Sequence, residues 1–95
     1  MFVHMSIHYP KPGMQDLILD SMRRYGAAMK DKQGFQRSYA LRDLKTGRLV
    51  GLAMWDSFEE WSAAKPAMDA AVRNDPFHEW EDVPPKVYHL EDVTF

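Results

Sequence analysis

Ninety-five residues with a formal net charge of -2 and a pI near 6.0 carry no basic field for a phosphate backbone, which argues against nucleic acid as a partner. The chain has no cysteine, which removes disulfides, thiolate nucleophiles and thiolate metal sites. An apolar fraction of 45% is too rich for a disordered chain, yet no apolar run approaches the ~20 residues that span a bilayer, and the start Met1-Phe2-Val3-His4 lacks the charged and apolar blocks of a signal peptide. The expectation is a cytoplasmic chain without membrane contact, forming one domain over residues 1–95 that buries roughly 65% of its unfolded surface. Seven Met and three Trp suit either a pocket wall or the filling of irregular core gaps.

Residues 2–9 read as a first strand, with Val3, Met5 and Ile7 on one face and Phe2, His4, Ser6 and His8 on the other. Pro10-Lys11-Pro12-Gly13 ends it. From Met14 the apolar period changes, and Met14, Leu17, Ile18, Met22, Tyr25 and Met29 form one helical stripe. Gly26 costs this helix about 1 kcal/mol relative to Ala, so a close packing contact or a slight bend is expected there. Gly34 is the left-handed stop.

Residues 35–42 form a second, more polar strand suited to a sheet edge. Gly47 lies in the polar connection of residues 43–48, where a hairpin needs positive φ. Leu49-Val50-Gly51-Leu52-Ala53-Met54-Trp55 is apolar on both parities and reads as a third strand buried on two faces. Ser57 and Glu60 form an S-x-x-E capping box, which starts a helix at Phe58. Phe58, Trp61, Lys65, Met68 and Val72 would share its inner face. Pro66 cannot sit mid-helix without costing ~3 kcal/mol, so a short helix over residues 57–64 and a second from Pro66 to about Arg73 are expected. Asn74-Asp75-Pro76 breaks the chain, Phe77-His78-Glu79-Trp80 makes a short turn, and residues 86–91 alternate as a last edge strand.

Strand, helix, hairpin, helix, strand is the split βαββαβ unit, an α+β ferredoxin-like fold whose four-stranded antiparallel sheet has strands one and three at its centre. Both helices pack on one side. The double-sided burial expected of the third strand therefore requires a second cover, and a second copy of the same sheet is the most economical one. The result would be a homodimer paired into a dimeric α+β barrel.

Met1-Phe2-Val3-His4-Met5-Ser6, Pro12-Gly13, Gly34-Phe35, Met54-Trp55-Asp56-Ser57 with Glu60-Trp61, and Val87-Tyr88 together resemble the antibiotic biosynthesis monooxygenase family, a branch of the dimeric α+β barrel superfamily. The resemblance covers nearly the whole chain, and its strongest element is W-x-S-x-E-x-W at Trp55, Ser57, Glu59 and Trp61. It implies a monooxygenase that oxidises a small phenol- or quinol-type aromatic with O₂ and no metal or flavin, so no cofactor is expected. Haem-degrading members carry an Asn on the first strand and a haem-ligating His ten residues after the helical Trp. Here those positions look like Ser6 and Ala71, which leaves iron without an axial ligand.

Such chemistry needs a base near neutral pKa and neutral hydrogen-bond donors in a dry cavity. On the registration that the resemblance implies, the face of Phe2, His4, Ser6 and His8 looks toward the helices. The candidates are His4 or His8 as base, Ser6 as donor, and Phe2, Met22, Tyr39 and Trp61 as the wall around a small apolar or aromatic ligand. The blander account makes both histidines hydrogen-bonded strand residues near the barrel rim. His4 and His8 stand about 13 Å apart by strand rise and cannot share one metal ion, so no metal site is expected. Trp55 suits the core or a dimer contact, and Trp80 with His78 either pins the loop before the last strand or forms a lid. Two other functions stay open: a non-catalytic or stress-related module that sequesters a small apolar molecule, and a subunit serving assembly alone.

Overall fold

The computed structural model describes residues 1–94. Its elements run β1 (Phe2–His8), α1 (Gln15–Ala27), β2 (Phe35–Arg42), β3 (Leu49–Trp55), α2 (Phe58–Ala71), α3 (Phe77–Trp80) and β4 (Lys86–Glu91). The strands form one antiparallel sheet in the order β2-β3-β1-β4. This is the ferredoxin-like α+β topology expected, with the two most apolar strands central.

Side chains directly opposite one another in the ladder share a face, so the register sorts the sheet into two surfaces. Phe2, His4, Ser6 and His8 face the helices, level with Trp55, Ala53, Gly51 and Leu49 of β3 and with Glu91, His89 and Val87 of β4. The other surface consists of three rows: Arg37-Met54-Val3-Leu90, Tyr39-Leu52-Met5-Tyr88 and Leu41-Val50-Ile7-Lys86. These rows are apolar except at two diagonally opposed corners, Arg37 and Lys86. Among the described residues nothing covers them, and Tyr39, Leu41, Tyr88 and Leu90 are all exposed. The double-sided burial expected of β3 is therefore met on its helix side alone: Leu49, Ala53 and Trp55 are buried, whereas Val50, Leu52 and Met54 are half-buried.

The main apolar cluster joins Phe2, Met29, Ala53, Trp55, Trp61, Ala64 and Met68, with Tyr25, Ala28 and Phe35 against it. Ser57 caps α2, its Oγ accepting from the Glu60 amide at 3.2 Å and donating to Glu60 Oε1 at 3.0 Å. The expected break at Pro66 does not occur, and α2 runs unbroken through it. Ser62 and Pro66 both lie on the solvent side, so water can take the Ser62 carbonyl that proline leaves without a partner. Trp61, Ala64 and Met68, buried on the opposite face, hold the two halves in line.

Two further expectations change. Leu17 is 45% exposed and lies outside the α1 core stripe, while the polar Ser21 is 1% exposed. Phe58, expected on the inner face of α2, is 46% exposed and covers the edge of the Phe2 ring. At Gly26 the backbone approaches β2, where an added Cβ would lie 3.6 Å from Ser38 Oγ. Arg24 ties α1 to the end of α2, its guanidinium donating to the Ala71 carbonyl at 3.1 Å and pairing with Asp75 at 2.9 Å.

Candidate active site

The inner face of the sheet and helices α1 and α2 enclose a cavity of about 670 Å³. Its presence follows from residue size. Gly51, Ala53, Ser38 and Ala40 sit where β2 and β3 pass beneath the helices, and such short side chains cannot fill the space between layers that pack about 10 Å apart. Met22, Met29, Tyr25 and Trp61 supply most of the apolar wall from above.

His4 lies flat on Trp61, their ring centroids 5.1 Å apart and their planes 24° from parallel. His89, opposite His4 on β4, meets the same indole edge-on at 4.8 Å. Burial chiefly, and then His89 and Lys65 nearby, outweigh Asp69 and push the His4 pKa down to about 4. His4 is therefore a neutral imidazole at physiological pH. Tyr25 moves the opposite way: burial and the Asp69 charge push its phenol up to about 12, which keeps it a neutral hydroxyl donor. Lys65 is neutralised by Asp69 at 2.6 Å.

A second polar group occupies the far end of β1. Ser6 Oγ and His8 Nε2 are 3.2 Å apart, and His8 Nδ1 is 3.1 Å from Glu81 Oε2. The other carboxylate oxygen of Glu81 accepts the Tyr9 backbone N–H at 2.9 Å. The Glu81 side chain is 1% exposed and that of His8 12%. With Nδ1–H donating to Glu81, the Nε2 of a neutral ring turns its lone pair to Ser6. The indole N–H of Trp61 is buried away from the cavity space, without a hydrogen-bond partner among the described residues.

His4, Ser6, His8, Met22 and Trp61 all line the cavity. Phe2 does not: it is 6% exposed and lies in the core, its ring 5.3 Å from that of Trp61. Tyr39 borders the cavity, yet it pairs with Leu52 on the bare face and its hydroxyl accepts from Arg37, so its side chain belongs to the other surface. Trp55 is wholly buried core. His78 is exposed at 84% of its side chain, and Trp80 pins its loop by accepting the Lys11 N–H at its carbonyl. Glu81, His89 and Tyr25 are the site residues that sequence reading misses. Nothing in the polar run of residues 78–82 distinguishes the one carboxylate that turns inward, whereas His89 could have been found from the alternation of β4. Among the described residues, no three His, Asp or Glu side chains converge as a metal ion requires, and no helix is long and apolar enough to cross a membrane.

No protein-family model and no curated protein matches the sequence. Solved structures do match in fold. Rv0793 from Mycobacterium tuberculosis superposes with a TM-score of 0.84 at 12% identity, covering 99% of this chain and 96% of that one. A candidate antibiotic biosynthesis monooxygenase from Deinococcus radiodurans gives 0.81 at 12%, over 100% and 95%. A mutant of SnoaB, a cofactor-independent oxygenase from Streptomyces nogalater, gives 0.77 at 15%, over 99% and 95%. Over nearly its whole length, this chain has the fold of the antibiotic biosynthesis monooxygenases.

Proposed function

We propose that the chain is an antibiotic biosynthesis monooxygenase acting without cofactor on a planar aromatic that bears an ionisable hydroxyl or an enolisable ketone. The observation that carries this reading is the pairing, in one cavity, of a flat aromatic wall, Trp61 with His4 and His89, with an oriented imidazole, His8. The substrate lies in the cavity against Met22 and Tyr25, beside the His4–Trp61 stack. His8, through Ser6, takes its proton, and the neutral Tyr25 hydroxyl steadies the anion. The anion then reacts with O₂. For an anthrone, one oxygen atom enters the ring as the new carbonyl of the anthraquinone and the other leaves as water, so atoms and electrons balance.

The active species in this reading is a homodimer. Two copies of the bare apolar face, one on each sheet, remove from water an area that a free monomer rarely exposes. Oxygen uptake with a panel of anthrones, naphthols and quinols tests the activity. The expected result is substrate-dependent uptake that falls about 10²-fold or more in His8→Ala, the size of a lost general base, and less in His4→Ala. Tight binding of these compounds with no uptake would overturn the oxygenase and support a module that sequesters them.

A further inference from the structure

Ser6, His8 and Glu81 form a linear chain whose links are 3.2 and 3.1 Å. The carboxylate at its end is buried and anchored twice, by His8 and by the Tyr9 N–H. The middle imidazole is thereby fixed in the tautomer that aims its lone pair at a hydroxyl. That hydroxyl has room because its neighbour across the ladder is Gly51, where even a Cβ would approach Ser6 Oγ to 2.8 Å. Nucleophile, base and base-orienting acid are recognised by this connectivity and not by their order in a sequence. Ser6 and His8 open into the cavity, where a reacting carbonyl can reach them.

We propose that this constellation gives the chain a second activity, acyl transfer from apolar esters to water with Ser6 as nucleophile. Ser6 Oγ attacks the ester carbonyl carbon while its proton passes to His8 Nε2. Collapse of the tetrahedral adduct breaks the C–O bond, and the alcohol leaves with the proton from His8. Water, deprotonated by His8, then attacks the acyl-Ser6 ester, which releases the carboxylic acid and returns the proton to Ser6. Glu81 touches no reacting atom and is a positioning residue that holds His8 and the imidazolium formed at each step. The neutral Tyr25 hydroxyl, in the cavity wall, is the donor offered to the oxyanion. The ester is apolar because Met22, Met29 and Ala53 line the cavity and its Lys65 is already paired.

The test is covalent labelling of the purified full-length protein with an alkyl fluorophosphonate, followed by peptide mapping, alongside hydrolysis of p-nitrophenyl butyrate. The expected result is one phosphonyl group on Ser6, none in Ser6→Ala, and a labelling rate lowered by about 10²-fold or more in Glu81→Gln with an unchanged circular dichroism spectrum. If the buried Glu81 variant does not fold, His8→Gln must show the same loss. A folded wild-type protein that stays unlabelled, or label and ester hydrolysis that persist in Ser6→Ala, would overturn the assignment. Neither readout consumes O₂, so failure of the oxygenase reading leaves this result standing, and the reverse holds.

Discussion

His4 and Trp61 stack with their ring centroids 5.1 Å apart, and this contact keeps an imidazole neutral inside the cavity. The folded chain protonates His4 only near pH 4, whereas the unfolded chain does so near the ordinary value of 6.5. The unfolded state therefore binds the extra proton between these two values. This contribution to stability is complete above pH 6.5, declines as the pH falls toward 4 and stays lost below it. Solvent still reaches the ring, so about 1–2 kcal/mol is expected from the shift and not its full equivalent. His4→Phe keeps a neutral ring on Trp61 and should flatten the fall in urea midpoint between pH 6.5 and 4. An unchanged slope would place the acid sensitivity elsewhere.

Gly51→Ala tests the space beneath Ser6. The new Cβ would approach Ser6 Oγ to 2.8 Å and Met22 Cε to 3.4 Å, so the hydroxyl must turn away from His8. A stability loss of about 1 kcal/mol is expected from such overpacking, with a far larger loss of fluorophosphonate labelling. Full labelling would show that the hydroxyl does not need the space.

Leu52 lies in the middle row of the bare sheet face, between Tyr39 and Met5. Leu52→Arg puts a charge at the centre of the surface proposed to meet its twin, where an unpaired charge costs several kcal/mol. Sedimentation should find the wild type near twice 11.1 kDa at micromolar concentration and the variant near one chain mass or aggregated. A wild type that is monomeric and stable would refute the dimer.

Pro66→Ala should stabilise the protein. It restores the hydrogen bond to the Ser62 carbonyl in the middle of an unbroken α2 and removes the ring clash, against a smaller gain in unfolded-chain entropy. A rise of about 1–2 kcal/mol in unfolding free energy is expected from chemical denaturation. A fall would mean that proline's rigidity outweighs the missing bond at this exposed position.

The strands and the capped start of α2 were legible because period, turn glycines and the Ser57 box are local signals. Pro66 misled because its cost depends on which side of the helix loses the bond. The side is set by where Trp61 and Met68 are buried, a tertiary fact. Leu17 misled in the same way, since a helical stripe is wider than the surface the sheet offers it.

By itself the sequence determined the order and type of the elements, the central place of β1 and β3, and the common face of His4, Ser6 and His8, since each follows from spacing along the chain. Only the tertiary structure gave the two histidines different surroundings. It pressed His4 against Trp61 and so kept it neutral, and it carried Glu81, seventy-three residues away, to the Nδ1 atom of His8. The environment of a titratable group is made by what folds against it, and no local pattern records that.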